Sequence, residues 1–275
     1  EARTATEEPH DDGPVASQPA PADRQGQQAV NDQLSPAYRE EREVAKLIAK
    51  YGMCYLCDTQ YEDGVSPTNV VEYIYNEQSK YPEITFKDQT FAQIFDLALG
   101  ELEPFYQALD RKEQEVAVRK HEQCEQEIRA IDPVGKSVDV LENEEKRIRS
   151  KYEKECVDEV NDFRQAYLER RLCSHPDDRV REMSSRLVTE RYQLSKIHTQ
   201  FAHVVTDFER LPVLVPEALD NWKFAIVKRK IDGIKQRLKT VTSYQEVRDL
   251  LEQQQALQNE LATLAKLVGE RVVNP

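Results

Sequence analysis

The chain has 275 residues, 39% hydrophobic and 32% charged, with only 8 glycines, a balance that suits elongated helices with wet faces. Its net charge of −13 repels a phosphate backbone, so no direct contact with nucleic acid is expected of the whole. Five cysteines without repeated spacing, no run near the ~18 apolar residues of a membrane span and no leader-like opening argue against secretion and membrane insertion. A soluble, cytoplasmic protein is expected, and the start at Glu1 rather than Met suggests a piece of something longer.

Residues 1–36 carry two basic and seven acidic side chains, with Pro9, Pro14, Pro19, Pro21 and Pro36 and almost no large apolar residue. Such a segment cannot bury enough surface to offset chain entropy, so a disordered linker is expected. Ser35-Pro36 suits the start of a first helix running to about Tyr51, with Gly52 as a left-handed stop. Ser66-Pro67 repeats that start ahead of Val70, Val71, Ile74 and Tyr75. A third helix carries Phe91, Ile94, Phe95, Ala98, Leu99 and Leu102 on one stripe.

A charged, weakly amphipathic helix is expected from about Glu103 to Ile131, broken at Asp132-Pro133 and Gly135. Residues 138–173 then sustain one stripe (Leu141, Ile148, Tyr152, Cys156, Val160, Phe163, Tyr167) over a helix roughly 50 Å long at ~1.5 Å per residue. After His175-Pro176 another stripe runs from Val180 and Met183 through Leu187, Leu194, Ile197, Phe201 and Val204 to Phe208 and Leu211. Pro212 and Pro216 introduce the last unit, a helix from about Glu217 to Lys239 and a second from about Tyr244 to Gly269, with Ser243 and Glu246 spaced as a capping box. The expected fold is therefore all-α: a bundle over 37–211 with long central helices, then a helical hairpin over 212–275.

The hairpin's two helices differ. The second has one narrow seam (Leu250, Leu257, Leu261, Leu264, Val268), as for a helix with one partner. The first presents Leu219, Trp222 and Ile226 on one side and Phe224, Val227 and Ile231 on another, more than one neighbour covers. The surplus marks an interaction face. Phe224, Val227, Lys228, Ile231, Lys235 and Leu238 are the expected partner contacts, with Leu219, Trp222 and Ile226 packed internally; the reverse assignment is the alternative.

Little in the sequence carries chemistry. Cys54-Tyr55-Leu56-Cys57 has the spacing of a zinc knuckle or redox pair, but no second ligand pair follows, so core thiols are expected and no metal. The five histidines form no ligand cluster, no glycine-rich loop opens a helix, and the acidic runs read as solvated faces. Lys228-Arg229-Lys230 with Lys223, Lys235, Arg237 and Lys239 fits the dipole at a helix C-terminus, with an acidic protein partner as the second reading and DNA as the third.

Residues 190–200 (Glu-Arg-Tyr-Gln-Leu-Ser-Lys-Ile-His-Thr-Gln), then Leu214-Val215-Pro216-Glu217, Ala225-Ile226-Val227 and the ending Leu267-Val268-Gly269-Glu270-Arg271-Val272-Val273, resemble in order the C-terminal region of bacterial replicative DNA primases of the DnaG type, most closely the Bacteroidetes form. The resemblance is good over 176–275 and loose from 37. It implies a non-catalytic helicase-binding module, tethered behind zinc-binding and polymerase domains that use zinc and magnesium. Such a module docks on the N-terminal collar of the hexameric replicative helicase and modulates primer synthesis. The helix pair at 103–173 departs from that family's plan. A free-standing coiled-coil scaffold or adaptor, paired through 138–173, is the alternative.

Overall fold

The computed structural model describes residues 37–61, 64–132, 134–135, 137–189 and 206–273, and for 61 and 267–273 the backbone alone. The expected linker at 1–36, the Ser35-Pro36 start, and the Leu194 to Val204 part of the fourth stripe lie outside them. Within them the fold is all-α apart from one hairpin: α1 (Tyr38–Tyr51), β1 (Tyr55–Tyr61), β2 (Gly64–Asn69), α2 (Val70–Lys80), α3 (Gln89–Gly100), α4 (Leu102–Arg129), α5 (Val138–Cys173), α6 (Asp178–Thr189), α7 (Leu211–Leu238) and α8 (Tyr244–Val273).

α1 is the central post. Val44, Ala45, Ile48 and Ala49, spaced for one helical face, are fully buried. Its Glu41 is fully buried as well, and the carboxylate accepts the backbone N–H groups of Lys87 and Asp88 at 2.9 and 3.0 Å. Asp88 in turn caps α3, accepting from Thr90 and Phe91 N–H. A buried carboxylate is stable only when its lone pairs are filled. Glu41 thereby fixes where the α2–α3 connection and α3 begin.

Gly52 does not end α1 in the left-handed region, as the sequence suggests; its φ and ψ are −49° and −39°, ordinary helical values. Its role is steric. A Cβ there would lie 2.6 Å from the Ile48 carbonyl oxygen, 2.6 Å from Leu168 Cδ2 and 2.9 Å from Val71 Cγ2. Three elements, α1, α2 and α5, meet at this point because one residue has no side chain.

Ser66-Pro67 does not start a helix. Both lie in β2, which pairs antiparallel with β1 in the register Asp58↔Pro67 and Thr59↔Ser66. The helix starts instead at Asn69, whose side chain accepts from Glu72 N–H while the Glu72 carboxylate accepts from Asn69 N–H, a reciprocal cap. The hydroxyl of Tyr106 on α4 donates to Glu72 at 2.9 Å and accepts from the Asn69 amide, tying the cap to the next layer.

α4 and α5 form an antiparallel pair. Lys112 and Arg119 to Glu159, Lys120 to Glu155, Arg149 to Glu125 and Lys151 to Glu127 bridge them, all at 3.2 Å or less. The 138–173 stripe, which a self-pairing scaffold would use, runs along this pair and is half-buried throughout, from Leu141 to Tyr167. At ~1.5 Å per residue the 36-residue α5 is about 54 Å long. Its last turns, with Leu168 and Leu172 buried, enter the main core.

That core joins α1, α2, α3, the base of the β-hairpin, the start of α4 with Phe105 and Leu109, the end of α5, α6 and the first half of α7, where Leu211, Val215, Leu219 and Trp222 are buried. α7 therefore begins at Leu211 rather than Glu217, with Pro212 in its first turn and Pro216 inside it. The boundary expected between 211 and 212 falls at the first residues of a helix rooted in the bundle.

We expect Gly52→Ala to destabilise the chain by roughly 1–3 kcal/mol, the usual cost of forcing atoms into a filled core, read as a lower urea midpoint. Ser184, fully buried on α6, has a hydroxyl without a hydrogen-bond partner among the described residues. Ser184→Ala is therefore expected to leave that midpoint unchanged or raise it, because no bond is lost and a polar group leaves the core.

Candidate partner-docking surface

The C-terminal hairpin is built on one helix shared by two cores. Trp222 is buried in the main core, 4.8 Å from the Phe86 ring, and Ile226 packs beside it. On the opposite face Val227 and Ile231 are buried with Leu264 of α8, and Phe224, Leu257 and Leu261 pack against them. The division of α7 into two apolar faces holds, but both are covered. The face carrying Phe224, Val227 and Ile231 is the seam with α8, so the surplus apolar surface read from the sequence is absent: the second face needs α8 and the first needs the bundle.

Lys228, Lys235 and Leu238 fall outside that seam. Lys228 is exposed and lines a cleft of about 640 Å³ between α1 and α7, which Phe224 borders from the edge of the seam. Lys235 is exposed and pairs with Asp232 at 3.1 Å, and Leu238 is half-buried at the helix end. The six residues thus do not form one surface.

The basic concentration on α7 is largely engaged within the chain. Lys223 bonds Glu77 of α2 at 2.8 Å, Lys230 bonds Glu83 of the α2–α3 connection, and Arg237 bonds Glu246 across the hairpin turn at 3.1 Å. Glu246, expected to close a capping box with Ser243, makes this bridge. Tyr81 donates to Glu260 of α8 at 2.7 Å; burial, then that carboxylate, pushes its phenol well above the usual range. Burial pushes the Glu77 carboxyl up, but the hydrogen bonds from Lys223 and Lys80 outweigh it and hold it below the usual glutamate value. The connection between α2 and α3 is the strap that holds the hairpin to the bundle.

What stays open on the hairpin is different from what periodicity selects. α8 leaves Tyr244 and Leu251 exposed, at 84% and 51%. Between the helices runs a groove of about 490 Å³ with Gly233, Ile234, Ala256 and Leu257 as its floor and Lys230, Arg237 and Gln253 around it. A glycine and an alanine carry no signal in a hydrophobic stripe, so the groove is invisible to that reading.

Cys54 and Cys57 sit at the base and on the first strand of the β-hairpin, Cys54 fully buried and Cys57 half-buried. The pattern Tyr55, Cys57, Thr59, Tyr61 before Gly64 is the strand alternation that could have revealed it. Burial pushes the Cys54 thiol up to about 12, against a smaller downward pull from Arg164. No group of three or more His, Cys, Asp or Glu side chains poised for a metal ion occurs among the described residues. No helix among them is long and apolar enough to cross a membrane.

A family model described as a domain of unknown function (DUF8430) matches residues 146–272, from the first half of α5 to the end of α8. No curated protein and no solved structure matches the chain.

Because Val227 is fully buried in the seam, Val227→Asp with Ile231→Asp is expected to loosen the hairpin itself, with a lower melting temperature and reduced ellipticity. Glu77 is ionised more easily folded than unfolded, so its contribution is present above the unfolded pKa of about 4.3 and is lost as pH falls through the folded value. The stability gap between wild type and Glu77→Gln should hold above about pH 5 and close in acid, measured by urea melts across pH. Cys54 should resist iodoacetamide in the native state and react only after unfolding, read by mass spectrometry.

Proposed function

We propose that this chain is a non-catalytic helicase-binding module of a bacterial-type DNA primase, acting in the cytoplasm to carry the polymerase to the N-terminal collar of the hexameric replicative helicase. The supporting observation is the order of parts: an all-α bundle followed by a two-helix hairpin with its own small core, rooted by the first half of α7. Of the four sequence stretches that resemble primases, Leu214–Glu217 and Ala225–Val227 lie on α7 and 267–273 closes α8, while 190–200 lies outside the described residues. Zinc and magnesium chemistry would belong to the polymerase part, outside this chain.

Mixing the chain with the replicative helicase of the same organism in a calorimeter is the direct test. Saturable binding to the hexamer is expected, together with no primer synthesis by the chain alone. No binding at concentrations of tens of micromolar, the weak end of physiological contacts, would overturn the reading. Truncation before residue 212 is a poor control, because it strips Val215, Leu219 and Trp222 from the main core. Point substitutions on the hairpin surface are preferable.

A further inference from the structure

Gly233 lies inside α7, where glycine weakens a helix relative to alanine because it loses more backbone freedom on folding. Nothing among the described residues accounts for it. The positive-φ glycines of the described residues are Gly64 and Gly135, and a Cβ built on Gly233 meets nothing within 4 Å. A glycine required neither by the backbone nor by a described neighbour, on the floor of an open groove, points to close approach by something beyond the described residues.

The groove's chemistry says what. Its floor is apolar, and Ala256 of α8 faces it with a second short side chain. Lys230 and Arg237 stand three residues before and four after Gly233, on the same helical face. Their intrachain pairs with Glu83 and Glu246 are exposed, at 39%/46% and 63%/47%, so a competing carboxylate can replace either at little cost. In a chain of net charge −13 the slot itself is rimmed by two cations and no carboxylate, their present partners Glu83 and Glu246 not being among its lining residues.

We propose that the α7–α8 groove receives an acidic amphipathic helix of the partner protein, crossing α7 at Gly233 with its carboxylates on Lys230 and Arg237 and its short apolar side chains on Ile234 and Leu257. Helix in groove is the mode that matches a slot between two helices. The identification of that partner as the replicative helicase rests on the reading above; the groove itself does not.

Two binding measurements separate the two. In the first, the full chain is titrated with a synthetic acidic amphipathic helix, glutamate on one face and leucine and alanine on the other, and with its lysine counterpart. The acidic peptide should bind, more weakly as salt rises, and the lysine peptide should not. Gly233→Leu, which fills the slot, and Lys230→Glu with Arg237→Glu, which reverses the rim, should each weaken binding at least about tenfold. Gly233→Ala should raise the melting temperature while weakening binding, opposite signs that a purely structural glycine cannot produce. Equal binding of both peptides, or wild-type binding by Gly233→Leu, overturns the groove. So does a wild-type dimer in sedimentation that Gly233→Leu converts to monomer, since the occupant is then a second copy. In the second measurement the same variants are titrated with the helicase hexamer. A wild-type chain that takes the peptide and ignores the helicase leaves the groove standing and removes the helicase; one that binds the helicase as tightly with Gly233→Leu removes the groove.

Discussion

The contact on which the architecture turns is the missing side chain at Gly52. The end of α1, the start of α2 and Leu168 of α5 converge there at distances that exclude even a methyl group. Backbone bonds use the same proximity: Val71 N–H donates to the Gly52 carbonyl at 3.0 Å and Val70 N–H to that of Cys54 at 3.2 Å. Because α2 is fixed against α1 at this point, the strap that follows it is fixed too, and Glu41 locks its far end. The strap then reaches the hairpin through Tyr81, Glu83 and Phe86. A steric allowance of one carbon atom is thereby felt at the other end of the chain.

The polar contacts divide by burial. Glu41, itself fully buried, defines a single geometry, and losing it would take the acceptor from the Lys87 and Asp88 N–H groups. The bridges along α4 and α5 are partly exposed, each worth little, and serve mainly to set the register of two helices whose apolar stripe is narrow. The α2–α7 bridge between Glu77 and Lys223 lies between these cases, with side chains 16% and 13% exposed, and joins two elements far apart in sequence.

Much of this fold could be read from the residues alone. The α5 boundaries follow from an uninterrupted stripe between a glycine-proline break and His175-Pro176, and the two-faced character of α7 was visible in Trp222 against Val227. The failures have physical causes. Ser66-Pro67 is as acceptable on a short exposed strand as at a helix start, and tertiary pairing with Asp58 and Thr59 decides. Gly52 looks the same in sequence whether it supplies a left-handed turn or empty space. On α7 the count of apolar residues was right, but where each face goes depends on α8 and the bundle, which periodicity does not specify. The groove is hidden because its small residues, Gly233 on α7 and Ala256 on α8, leave no hydrophobic signature on either helix.

α7 has a further consequence as a mechanical part. It passes unbroken from one core into the other, so the hairpin is not hung from a flexible joint but from a beam clamped at Trp222 and Val215. Pro216 removes one backbone hydrogen bond from that beam within the clamped half, leaving the free half stiff. A load applied to α8 must then travel as torque along α7 and arrive where Phe86 and the strap grip it. Pulling on the hairpin loads the bundle first, and the two would yield as one unit rather than in sequence.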